Sequence, residues 1–185
     1  YQLQLTLVDL HGNTAVDVRE FTFASRAPVV ASLAPADGAA TNQLTEVTAS
    51  LADQAGSGLD LASSHITVTD PSGADLPGRV SHDGDATIMF SPDTPLATDG
   101  SADGPYVVTV TAVDQRGATA DAMATFLLDT LAPSVESQSP ENGSTFSDAT
   151  PTITVALADE GARIDPGATQ ATLTGPDGSD VPLTM

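Results

Sequence analysis

Twenty of the 25 acidic residues in this chain are aspartates, and more than half of those stand next to glycine, proline or serine. Short carboxylates in turns can do two kinds of chemistry. They can give oxygen ligands to calcium, which takes about six to eight of them, or accept hydrogen bonds from the amides of their own turn. The run Asp99-Gly-Ser-Ala-Asp-Gly104 copies the opening of a calcium loop, Asp-x-Ser-x-Asp-Gly, but Val110 stands where such a loop ends in glutamate. Three histidines, His11, His65 and His82, are scattered along the chain without a serine or carboxylate at a triad-like spacing, and they read as solvated turn residues. There is no cysteine, which excludes thiolate metal sites, disulfides and cysteine nucleophiles. Neither a glycine-rich phosphate loop nor a His-x-x-x-His pair occurs. Catalysis is not expected.

Five arginines and no lysine oppose the acids, leaving a formal charge of −20. Such a chain repels phosphate backbones, so nucleic acid is not an expected partner. The same composition suits a surface that works at high salt. No apolar run approaches the roughly 20 residues of a membrane-spanning helix. The chain opens on Tyr1, and the expectation is an interior slice of a longer protein.

The elements that carry these aspartates alternate with period two. Tyr106, Val108, Val110 and Ala112 share one face, and so do Ala120, Ala122, Ala124, Phe126 and Leu128. Val47, Ala49 and Leu51 form another inward row, with Ile66/Val68 and Ile88/Phe90 as shorter ones. Turn signals such as Asp37-Gly38, Asp83-Gly84 and Asp103-Gly104 separate them. The pattern predicts seven strands near 29–33, 44–52, 65–70, 76–82, 86–91, 105–114 and 119–129, an all-β sandwich. Met89 and Leu127 are the apolar side chains expected outward. Val16 and Val18 are out of phase with Phe21 and Phe23, which predicts a bulge between the two pairs.

The chain also repeats itself. Residues 1–28 align with 106–133 at an offset of 105, with ten of 28 positions identical, among them Tyr1/Tyr106, Asp9/Asp114 and Phe21/Phe126. The offset continues through Pro35/Pro140 and Gly73/Gly178, and Leu51-Ala-Asp53 matches Leu157-Ala-Asp159 at 106. The expected division is therefore 1–26, the C-terminal strands of one truncated module; 27–131, a complete module; and 132–185, the N-terminal half of a third. Ala-Pro pairs mark short, stiff junctions.

The runs Asp103-Gly-Pro-Tyr106, Val108-Thr-Val-Thr-Ala-Val-Asp114 with Gly117, Leu128-Asp-Thr-Leu-Ala-Pro133 and Leu173-Thr-Gly-Pro-Asp-Gly178 resemble tandem bacterial immunoglobulin-like domains of large secreted or surface-anchored proteins. The resemblance implies seven-stranded immunoglobulin-like β-sandwich modules in tandem, about 105 residues per repeat. It implies an extracellular, cell-surface stalk or filament whose partners are neighbouring modules of the same chain, and possible further ones are other surface proteins, glycans or copies of itself. Alternatives are a glycan- or protein-binding module and an accessory domain of a secreted hydrolase. Tyr106 resembles the tyrosine corner of this fold, its hydroxyl bonding back to the chain, with Tyr1 as its repeat partner. The implied topology gathers Asp99, Asp103, Asp129, Asp159, Glu160 and Asp165 at the second junction and, more weakly, Asp53, Asp60 and Asp114 at the first. These are the candidate calcium ligands, and turn capping is the competing reading. At the first junction Ala24 stands in the place of Asp129, and Arg26 is expected to supply part of the positive charge.

Overall fold

The computed structural model describes residues 1–183 apart from 22, 24, 25, 55, 146, 148 and 149. Its elements are all strands. In chain order they are β1 (Gln2–Val8), β2 (Thr14–Glu20), β3 (Val29–Ala34), β4 (Ala40–Thr41), β5 (Val47–Ala52), β6 (His65–Thr69), β7 (Gly78–His82), β8 (Thr87–Pro92), β9 (Gly104–Val113), β10 (Thr119–Leu128), β11 (Ser134–Ser139), β12 (Thr154–Ala158), β13 (Leu173–Thr174) and β14 (Asp180–Val181).

Strands β3 to β10 make two four-stranded sheets, ordered β3-β5-β8-β7 and β4-β10-β9-β6. Seven of them fall on the expected runs. The eighth, β4, is too short to alternate and so leaves no periodic trace; it lies parallel to the end of β10, Ala40 against Leu127 and Thr41 against Leu128. The inward rows meet as their spacing requires. Val47, Ala49, Leu51, Ile88 and Phe90 of one sheet, and Ile66, Val68, Tyr106, Val108, Val110, Ala112, Phe126 and Leu128 of the other, form one buried core. Tyr106 and Phe126 stack across β9 and β10 with ring centroids 5.4 Å apart and planes 12° from parallel. In a core otherwise built of aliphatic side chains and Phe90, that pair carries a large share of the buried apolar area. Gly78 makes room for the other large ring, because a Cβ there would come within 2.2 Å of Phe90 Cζ.

Bonding patterns recur at the offset seen in the sequence. The β1–β2 hairpin pairs Leu7 with Ala15 and Gln2 with Glu20; β9–β10 pairs Ala112 with Ala120 and Val107 with Thr125. Tyr1 stacks on Phe21 at 5.6 Å and 15°, as Tyr106 does on Phe126. Strand β3 shifts register against β5 between Val30 and Ser32, and β11 does the same against β12 between Val135 and Ser137. Thr69 bridges Asp75, and Thr174 pairs with Asp180. Ala34–Pro35 and Ser139–Pro140 are both cis.

One expectation fails in β2. No bulge separates Val18 from Phe21: the pairing runs unshifted along both strands, and the Phe21 amide donates to the Tyr1 carbonyl at 2.9 Å. Strand β1 alternates in strict phase with Tyr1, and the tight turn fixes the register, so β2 follows its partner rather than its own apolar pattern. Val16 and Val18 thus take the face away from Tyr1. Arg19 and Asp17 lie beside Leu3 and Leu5 and pair with each other at 3.0 Å.

Candidate functional site

The expected aspartates sit on loops at the two ends of the central sandwich. At the end carrying the β9–β10 turn, Asp114 is buried. One of its oxygens, Oδ1, accepts from the amides of Arg116 (2.9 Å) and Ala118 (2.8 Å), and Oδ2 accepts from the Ser57 hydroxyl at 2.8 Å. Asp53 approaches the same hydroxyl, at a longer 3.4 Å, and accepts from the Gly58 amide at 2.8 Å. The Ser57 hydroxyl is the main reason that the Asp114 carboxyl titrates below the usual carboxylate range; burial and the nearby Asp53 charge push the other way. Asp60 turns to the Ser63 amide at 3.1 Å, and its backbone carbonyl receives the amide and hydroxyl of Ser64 at 3.0 and 2.8 Å. This end brings Asp53 and Asp114 together around a serine and leaves the Asp60 carboxylate with its own turn.

At the other end, Asp99 accepts from the Ser101 amide (3.1 Å) and hydroxyl (2.6 Å), chiefly the hydroxyl holding its carboxyl below the ordinary range. Asp103 reaches across 27 residues to Thr130, accepting from its amide at 2.9 Å and its hydroxyl at 2.8 Å. The Gly100 amide donates to that same Thr130 oxygen at 3.2 Å. Asp129 accepts from the Ala162 amide at 2.5 Å. Asp159 accepts from the Gly161 amide at 3.1 Å, and Asp165 from the amides of Gly167 (2.8 Å) and Ala168 (3.2 Å). Each carboxylate is therefore aimed at an amide or hydroxyl. Among the described residues, no group of three or more acidic or histidine side chains is arranged to hold a metal ion. The first-junction comparison with Ala24 lies outside the described residues. Arg26 is exposed.

Residues 24–126 match the family model for the bacterial Ig-like domain. The chain belongs to that family. Its Ig-like domain has the tyrosine corner that the resemblance implies: Tyr106 is buried and its hydroxyl donates to the Ala102 carbonyl at 2.9 Å. Among solved structures, the chain is similar to PcoC, a methionine-rich copper resistance protein from Escherichia coli, at 18% identity over 56% of this chain and 99% of that one, with a TM-score of 0.47. It is similar as well to CopC from Methylosinus trichosporium OB3b, at 18% identity over 55% and 93%, with a TM-score of 0.44. No curated protein matches the chain.

All three histidines are exposed, His11 in the β1–β2 turn and His65 and His82 in the Ig-like domain. Met89 and Leu127 lie on the outer faces of opposite sheets and share no patch. The most exposed large apolar side chain of the two sheets is instead Met123, at 68%. It borders a groove of about 350 Å³ between β3 and β10, lined also by Val30, Leu33 and Ala122. Ser57 and Thr130 are the residues that composition and spacing missed. Their hydroxyls act on carboxylates 57 and 27 positions away, and a serine or threonine in a turn carries no mark of so distant a partner. Among the described residues, no helix is long and apolar enough to cross a membrane.

Proposed function

We propose that this chain is a stretch of tandem Ig-like modules, about 105 residues per repeat, from an extracellular or cell-surface protein, and that its work is mechanical: it spaces and orients whatever lies at its ends. The module limits are 1–26, 27–131 and 132–185. The reading includes no catalytic step. Its partners are neighbouring modules of the same chain. The observation that supports it is the recurrence, 105 residues apart, of the hairpin pairing, the ring stack and the β3-type register shift. Bonding patterns of the complete sandwich that recur once before it and once after it are what a repeat array produces.

The test is excision. A polypeptide of residues 27–131 should unfold in one cooperative transition close to the main transition of the full chain, and small-angle scattering of the full chain should give an elongated particle. Failure of 27–131 to fold, or a compact particle, would overturn the reading.

A binding module is the second reading, and the Met123 groove is what favours it. A lining mainly of alanine, valine and leucine, with Ser32 and Asp37 at its polar part, suits an extended, largely apolar peptide better than a glycan, which needs flat aromatic faces. Met123→Glu should abolish such binding and leave an array function untouched.

A further inference from the structure

We propose that Asp129 is a latch: it fixes the start of the following segment against the distal end of the Ig-like domain through hydrogen bonds, without an ion. The proposal rests on the tandem reading, since it concerns how one module meets the next.

Behind the latch, the link is strapped down. The Asp129 amide donates to the Thr41 carbonyl at 2.9 Å. Thr130 is gripped from both sides, by Asp103 and by the Gly100 amide. Leu131 lies on Gly100, where a Cβ would come within 2.7 Å of its Cδ1. The backbone of residues 129–131 therefore belongs to the sandwich that precedes it.

Ahead of the latch, the Asp129 side chain belongs to the segment that follows. Its Oδ2 takes the Ala162 amide at 2.5 Å, across 33 residues. Gly161 presses on the same carboxylate so closely that a Cβ there would fall 2.1 Å from Asp129 Cγ. The backbone of Gly161 lies outside the left-handed region, so glycine is needed here for space and not for its dihedral freedom. Asp159 bonds the Gly161 amide and holds the loop in the shape that presents Ala162. A residue tied to one module by its backbone and to the next by its side chain leaves only the short stretch through Pro133 between two fixed points, and proline fixes its own φ.

The other junction carries the complementary change. Ala24 repeats Asp129 at an offset of 105, and Ala55 repeats Gly161 at an offset of 106. Where the sequence has Asp129 it has glycine at the second position, and where it has Ala24 instead it has Ala55 there. The surface made by Gly100, Asp103 and Asp129 thus fits a following module that offers Gly-Ala two and three residues after its Asp159-type aspartate.

Hydrogen exchange at the Ala162 amide in the full chain tests this, with and without a chelator and with millimolar calcium. Asp129→Ala should speed exchange at Ala162 about tenfold, the size of one charge-assisted bond partly screened by water. Gly161→Ala should do the same by pushing the loop off the carboxylate. The double variant should exchange no faster than either single one, because both remove one contact. Core amides such as Val108 and Val110 should stay unchanged in every variant, which separates loss of the latch from loss of the fold. Unchanged exchange at Ala162 in Asp129→Ala would overturn the latch, and so would protection that arises only with calcium, which would give Asp129 to a cation. If 27–131 folds alone and Ala162 does not respond, the latch falls and the tandem reading stands. If 27–131 does not fold, the tandem reading falls whatever Ala162 does.

Discussion

Tyr106 shows how one polar atom is tolerated in an apolar core. Its ring stacks on Phe126 and its hydroxyl leaves the core edge to meet the Ala102 carbonyl. Burial raises its pKa, and the negative charges of Asp70 and Asp103 add to the effect. The fold therefore favours the neutral phenol. The stabilisation is complete below the ordinary phenol value near 10 and is lost as pH rises through and beyond it. Tyr106→Phe should cost about 0.5–1.5 kcal/mol at neutral pH, the net worth of one hydrogen bond, and should flatten the loss of stability on the alkaline side. Thermal unfolding across that pH range checks both, and an unchanged alkaline limb in the variant would remove Tyr106 as its source. This tyrosine is legible through the family resemblance at the start of β9. Ser57, Thr130 and Gly78 are not, because what they do is set by atoms far away in the chain: a carboxylate, another carboxylate and the Phe90 ring.

Strands here are joined by turns closed on aspartate. In the β7–β8 turn, Asp83 accepts from the amides of Asp85, Ala86 and Thr87 at 2.9, 3.1 and 3.0 Å. Those bonds, the Thr87 amide foremost, lower its pKa to about 2. Asp9, Asp70 and Asp177 are lowered in the same direction, each chiefly by a side chain of its own turn. A depressed carboxylate contributes stability that is present above its unfolded value near 4 and is lost as pH falls through the folded one. The melting temperature should accordingly drop between about pH 4 and pH 2, and Asp83→Ala should melt lower at neutral pH and lose less on acidification. An acid limb as steep in Asp83→Ala as in the natural chain would exclude this turn. At this scale the alternating runs give strand positions to within a few residues, since period two is a local property. Cross-strand register is not local. That is why β2 escapes its own pattern, and why β4, only two residues long, had no pattern to read.

At the scale of the molecule, a charge of −20 on 185 residues works against close packing of the Ig-like domain on the segments before and after it. The repeat spacing, read from side-chain identities, is also the spacing at which backbone bonds recur, so the long-range order was more legible than the local contacts at the ends. Amides and hydroxyls already occupy the junction carboxylates, and this leads to a definite ionic behaviour. Salt should raise the melting temperature by screening repulsion over a distance of about 10 Å at 0.1 M, and it should do so without ion selectivity. Calcium and magnesium at equal ionic strength should give superimposable unfolding curves, both above the curve without added salt. A cation seated among Asp99, Asp103, Asp129, Asp159 and Asp165 would have to share these carboxylates with the Ser101, Thr130, Ala162, Gly161 and Gly167 donors that hold them. It would then reveal itself as a calcium-specific gain, one that Asp129→Ala abolishes, and that outcome would replace hydrogen bonding with metal bridging at Asp129.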